Sequence, residues 1–122
     1  MNSFFGKTFL VVDDEEDLCD ILSMILKFEG ANVITANNVN DAFKVVKENQ
    51  IDVVISDIRM PNGSGIELLD KIKKFNPDSP AVVLMTGDSA ISEESVKSKG
   101  ALALHQKPMD YKKIIDLICK KI

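Results

Sequence analysis

The chain has 122 residues, 45% of them hydrophobic, which is enough to bury one core and points to a single domain over 1–122. A net charge of −4 and a pI near 4.9 argue against direct binding of nucleic acid or an anionic membrane surface. No apolar run approaches the roughly 18 residues of a membrane span, and Met1 to Gly6 is too short for a signal peptide, so a cytoplasmic location is expected.

Thr8 to Val12 reads as a buried strand and runs into Asp13-Asp14-Glu15-Glu16-Asp17. Leu18, Ile21, Leu22 and Ile25 follow at helical spacing, and Gly30 is placed to end that helix. Asn32 to Ala36 is a second strand. The next helix presents Val39, Ala42, Phe43 and Val46, with Asn38 or Asn40 as its cap. The third strand, Val53 to Asp57, breaks into a loop marked by Pro61, Gly63 and Gly65. Ser64-x-x-Glu67 is a capping-box signature for a helix along Ile66, Leu69, Ile72 and Phe75, which Asn76-Pro77 stops. Ala81 to Thr86 is the fourth strand. Ser92 caps a fourth helix that Gly100 closes. Ala101 to His105 is a fifth, shorter strand, and after Lys107-Pro108 a last helix carries Tyr111, Ile114, Ile115, Ile118 and Ile122. Trp is absent and aromatics are 6%, so an aliphatic core is expected. Cys19 and Cys119 lack C-x-x-C spacing and read as reduced, structural thiols.

Strands alternating with helices predict an α/β fold, a doubly wound five-stranded parallel sheet of order 2-1-3-4-5, flavodoxin-like. In such sheets the chemistry lies past the carboxyl ends of the strands. That rule collects Asp13, Asp14 and Asp57 from neighbouring strands, with Thr86 and Lys107 arriving from the fourth and fifth. Three carboxylates repel by about 4 kcal/mol per pair at 4 Å and an effective dielectric near 20, so the cluster calls for protonation, solvent or a cation. Oxygen ligands without His or Cys suit Mg²⁺. A neutralised pocket could admit a phosphoryl group, with an Asp carboxylate as nucleophile, Thr86 as hydrogen-bond donor and Lys107 as counter-charge. Singly, each has a plainer reading. Asp14 serves equally as an N-cap with Asp17 three residues on, Thr86 as a strand-end hydroxyl and Lys107 as a solvated loop lysine. Their joint occurrence at successive strand ends is what those readings explain poorly.

The ordered set Asp13-Asp14, Asp57-Ile-Arg-Met-Pro-Asn-Gly-Ser-Gly65, Met85-Thr86-Gly87 and Lys107-Pro108 resembles the receiver domain of bacterial response regulators in two-component signalling, over essentially the whole chain. The resemblance implies that Asp57 takes a phosphoryl group from a phospho-histidine of a sensor kinase or phosphotransfer protein. It implies Mg²⁺ held by Asp13, Asp14, Asp57 and the backbone carbonyl of Arg59, with Thr86 as switch hydroxyl and Lys107 as phosphoryl-binding lysine. It also implies a cis Lys107-Pro108 bond, slow self-dephosphorylation tuned by Arg59 and Asp88, and a switching face on helix four, strand five and helix five that serves an effector or a homodimer. Two positions depart from the family. Leu104 stands where Tyr or Phe is usual, which weakens the usual readout, and Met109 replaces the commoner Phe after Lys-Pro. His105, the single histidine, reads as a half-buried edge-strand residue.

Three rivals share parts of this pattern. A flavodoxin would need a hydroxyl- and glycine-rich phosphate cradle where Asp13 to Asp17 stands. A Mg²⁺-dependent aspartyl phosphohydrolase usually places its nucleophile after the first strand and adds a cap domain, for which the chain has no room. A receiver-like interaction module that is never phosphorylated is disfavoured by the full set of Asp, Thr and Lys.

Overall fold

Apolar strands, buried at the centre of the sheet, alternate with amphipathic helices along the described residues. The computed structural model, which describes residues 3–61 and 63–122, resolves that alternation into seven strands and five helices among the described residues. In chain order they are β1 (Thr8–Val12), α1 (Glu16–Phe28), β2 (Asn32–Ala36), α2 (Val39–Glu48), β3 (Val53–Asp57), β4 (Arg59–Met60), β5 (Gly63–Ser64), α3 (Gly65–Phe75), β6 (Ala81–Thr86), α4 (Glu93–Lys97), β7 (Ala103–Gln106) and α5 (Tyr111–Lys121). Five strands form one parallel sheet of order β2-β1-β3-β6-β7. This is the expected 2-1-3-4-5 order once β4 and β5 are set aside. Those two short strands pair antiparallel, Arg59 opposite Ser64 and Met60 opposite Gly63.

The sheet divides the core in two. Leu10, Val54, Val82 and Leu84 point to one face, packing with residues of α2, α3 and α4. Phe9, Val11, Val53, Ile55 and Val83 point to the other, with Leu22, Leu26, Ile114 and Ile118. The core is aliphatic except for Phe4 and Phe9, both fully buried, whose ring centroids lie 4.8 Å apart.

Local signals place most helix ends. Asn38, not Asn40, caps α2, its side chain accepting from the Asp41 N–H at 2.8 Å. Ser64 caps α3 and Ser92 caps α4, accepting from Glu67 N–H and Ser95 N–H. Gly30 (φ 96°) and Gly100 (φ 107°) occupy left-handed positions after α1 and α4. At both ends the next residue's N–H, from Ala31 or Ala101, reaches back to Leu26 or Val96 carbonyl.

That closure corrects the fifth strand. Ala101 is still engaged in finishing α4, so β7 begins at Ala103 and extends through Gln106, not Ala101 to His105. The buried face of α1 also differs from expectation: Cys19, Leu22, Ser23 and Leu26 are buried while Ile21 is 41% exposed. Both sets have i, i+3, i+4, i+7 spacing one residue apart, and docking on the sheet selects between them. Phe75 and Ile122, expected on apolar faces, are exposed.

Candidate functional site

Register builds the site. Val12 of β1 lies level with Ser56 of β3, so the residues after them, Asp13 and Asp57, emerge side by side at the carboxyl edge. Asp57 is level with Met85, and Thr86 with Gln106, which brings Thr86 and Lys107 to the same edge. Asp13, Asp57 and Thr86 are all buried, whereas Asp14 is exposed. One carboxylate oxygen each from Asp13, Asp14 and Asp57 can be found within 4.8 Å of one another. All five residues that the sequence singled out therefore reach one place. Asp14 is not the N-cap of α1; that position falls to Glu15, whose side chain makes no capping bond.

Lys107 is the counter-charge. Its Nζ donates to Asp57 Oδ2 at 3.0 Å and lies 3.7 Å from Asp13 Oδ2. Burial alone would lower its pKa, but the Asp57 hydrogen bond and the charges of Asp13 and Asp57 outweigh this and raise it. Asp13 Oδ1 accepts from Glu15 N–H at 2.9 Å, while Asp13 Oδ2 is buried with no hydrogen-bond partner among the described residues. Burial raises the Asp13 pKa, Glu15 N–H opposes the rise, and the Asp57 charge adds to it. One ammonium against three carboxylates leaves the pocket short of positive charge, and an orphaned buried oxygen marks where more would be stabilising. The donor set, oxygen only, fits a hard divalent cation such as Mg²⁺.

The backbone of Asp57 and Ile58 is held by three bonds. Ser56 Oγ donates to the Asp57 carbonyl at 2.9 Å, Ile58 N–H donates to Met85 carbonyl, and Gly65 N–H donates to Ile58 carbonyl. Gly65 packs so tightly that a Cβ there would collide with the Asp57 carbonyl oxygen. The hairpin of β4 and β5 then fixes Arg59 beside the site. Its side chain turns out to solvent, Nη2 donating to Asp88 Oδ2 at 3.0 Å. Thr86 Oγ1 accepts from Asp88 N–H at 3.0 Å, leaving its own hydrogen free to donate. The Lys107-Pro108 bond is cis, as is Ser79-Pro80, which the sequence did not suggest. Gly87 stands in open space. Leu104 is buried, in the same cluster as Val96 and Leu84. His105 is half-buried on the edge strand, its pKa lowered by burial.

Parallel strands delivering three aspartates, a threonine and a lysine to one edge define a class, and comparison with known proteins agrees. The response regulator receiver domain model matches residues 9–119, and the chain belongs to that family. It is 44% identical over 107 residues to the transcriptional regulatory protein ZraR of Klebsiella oxytoca, covering 86% of this chain and 24% of that one. Across the first three curated relatives it spans between 23% and 36% of their length. Among solved structures it is similar to the response regulator TrrA of Thermotoga maritima in complex with Mg²⁺ and beryllofluoride. That match has a TM-score of 0.86 and 30% identity, covering 95% of this chain and 99% of that one. It also resembles the beryllofluoride-activated NtrC4 receiver domain dimer, with a TM-score of 0.83 and 36% identity, covering 93% of each. The fold is the flavodoxin-like one of the receiver domains, and the family places the chain in two-component signalling, not flavin chemistry.

Proposed function

We propose that residues 1–122 form one phosphoacceptor domain in which Asp57 receives a phosphoryl group from a phospho-histidine of a sensor kinase or phosphotransfer protein. The observation that carries this reading is the Lys107 ammonium bonded to a buried Asp57 carboxylate beside two further aspartates. In the transfer, an Asp57 carboxylate oxygen forms a bond to phosphorus as the phosphorus–nitrogen bond breaks in a phospho-imidazole protonated at its other ring nitrogen, so that the imidazole leaves neutral. Asp13, Asp14, Asp57 and the Arg59 carbonyl would hold Mg²⁺, which neutralises the incoming and resident charges. Lys107 exchanges its bond to Asp57 for one to a phosphoryl oxygen. Thr86 turns its free hydrogen toward the same group and gives up the Asp88 N–H.

The domain signals by changing state; its chemistry is limited to Mg²⁺-dependent self-phosphorylation and slow self-dephosphorylation. The face formed by α4, β7 and α5 would meet an effector or a second copy, as a dimer is formed by the NtrC4 receiver. Among the described residues no helix is long and apolar enough to cross a membrane. Incubation with a small phospho-donor tests the reading. Intact mass should rise by one phosphoryl group with Mg²⁺ and not without it, and Asp57→Asn should abolish the rise. Incorporation into the Asn variant would overturn the assignment.

A further inference from the structure

The α4–β7 contact holds a side chain that no part of the site accounts for. β7 is the edge strand of the sheet. Lys107 N–H donates to Thr86 carbonyl, so by the two-residue alternation of a strand the Leu104 N–H turns outward, away from β6. It does not face solvent unpaired. It donates to Glu93 Oε2 at 3.2 Å, across from the first residue of α4. The other carboxylate oxygen of Glu93 lies 3.8 Å from Lys97, one turn along.

α4 has little else to hold it. It is five residues long and Val96 is its one buried residue. Leu104, against which Val96 clusters, is the residue whose N–H is bonded. From Thr86 to Glu93 the connecting loop is stitched by successive short bonds. Asp88 N–H donates to Thr86 Oγ1, Ala90 N–H donates to Asp88 Oδ1 at 2.9 Å, and Ser95 N–H donates to Ser92 Oγ. A movement of the Thr86 hydroxyl removes the acceptor of the first bond and frees the loop that carries Glu93.

We infer that Glu93 is the latch of this domain: its bond to the Leu104 N–H holds α4 against the edge strand in the resting state and is released when the Asp57 site is occupied. The inference rests on the phosphoacceptor reading and deepens it by naming the residue that couples the site to the α4–β7–α5 face. It also accounts for how that face is governed with Leu104 at the switch position. The side chain there offers bulk and no polar group, and the polar contact is made by the backbone of the same residue. Glu93 is a positioning residue and has no part in phosphoryl transfer.

Amide hydrogen exchange at Leu104, read residue by residue by NMR on the whole chain, tests the latch. The arms are wild type, Glu93→Ala and Glu93→Gln, each with Mg²⁺ alone and with Mg²⁺ plus beryllofluoride as phosphoryl mimic. In resting wild type the Leu104 N–H is protected, and beryllofluoride speeds its exchange about tenfold, as expected for an opened local hydrogen bond. Glu93→Ala exchanges at that faster rate already at rest and gains nothing further. Glu93→Gln, which keeps an acceptor oxygen, stays protected at rest and responds to the mimic. Phosphorylation of Asp57, followed by mass, still proceeds in both variants, and in Glu93→Ala no more slowly than in wild type, since the latched state no longer opposes it. Equal Leu104 protection in wild type and Glu93→Ala overturns the latch. So does unchanged protection in wild type while resonances around Asp57 report bound mimic. Absence of any response around Asp57 overturns the phosphoacceptor reading instead, and with it the inference that rests on it.

Discussion

Gly65→Ala is expected to damage stability and site together, because Gly65 is where α3 meets the backbone of Asp57. A Cβ at this position would overlap the Asp57 carbonyl oxygen and stand 3.1 Å from both the Asp57 carbonyl carbon and Ile58 Cα. All three are backbone atoms and cannot rotate aside. The helix must retreat, yet Gly65 N–H is bonded to Ile58 carbonyl at 2.8 Å, and Leu68, Leu69 and Ile72 behind it are fully buried. Overpacking of this kind costs about 1–3 kcal/mol, offset by up to about 1 kcal/mol for replacing glycine. A net loss near 1–2 kcal/mol corresponds to a fall in Tm of roughly 4–10 °C for a domain of this size. Circular dichroism melts give that number. Phosphoryl incorporation measured well below the melt should slow severalfold, since the displaced carbonyl belongs to the acceptor residue. Gly87→Ala is the control: its Cβ would meet nothing within 4 Å, and its Tm should stay within about 2 °C, as for an unobstructed surface change. A Gly65→Ala protein that melts with wild type and accepts phosphoryl at the wild-type rate would refute the packing argument.

The charges and the switch yield four more expectations. The Asp13 pKa is raised above 3.8, so the folded state holds this proton more tightly than the unfolded chain. Its contribution is present below that value and is lost as pH rises through the raised one, and Mg²⁺-free wild type should lose stability over that window relative to Asp13→Asn. Mg²⁺ at a hundredfold excess over Kd should stabilise wild type by about 2.7 kcal/mol and the Asn variant by clearly less, measured by denaturant unfolding. Arg59 and Asp88, two residues past Asp57 and Thr86, pair at 3.0 Å; if the pair hinders an attacking water, replacing both by Ala should speed loss of phosphoryl by up to about fivefold, the scale of a weak exposed pair, and an unchanged or slower loss removes the pair from control of hydrolysis. Leu104→Tyr should widen the ratio of partner affinities with and without beryllofluoride by about fivefold or more, read by titration calorimetry, and an unchanged ratio would remove the side chain at position 104 from the coupling.

The parts of this molecule governed by local rules were legible in the sequence. Short apolar runs marked five strands, and Asn38, Ser64, Ser92, Gly30 and Gly100 marked helix ends through bonds that span a few residues. The site was legible for the same reason: parallel topology sends every strand's last residue to one edge, so Asp13, Asp57, Thr86 and Lys107 needed no tertiary information beyond strand order. What escaped depended on packing between elements. Two overlapping apolar stripes on α1 differ by one residue, and the sheet, not the periodicity, buries Cys19 and Leu26 instead of Ile21. The start of β7 moved because Ala101 completes the turn after α4. The β4–β5 hairpin was missed, although Pro61 and Gly63 are turn residues that could have announced it; Asn62 between them lies outside the described residues. The contacts of Gly65 with Asp57 and of Glu93 with Leu104 each join two different elements, and neither the helical nor the strand period predicts such a pairing.

The central claim is that the phosphoryl group resides on Asp57 and on no other carboxylate of the cluster. An acyl phosphate is reduced by borohydride to the alcohol, which converts the modified aspartate to homoserine and survives digestion. Peptide sequencing by tandem mass spectrometry after phosphorylation with Mg²⁺ and borohydride trapping should find homoserine at position 57 alone, and none when Mg²⁺ is withheld. Homoserine at position 13 or 14, or at 57 irrespective of Mg²⁺, would contradict the account.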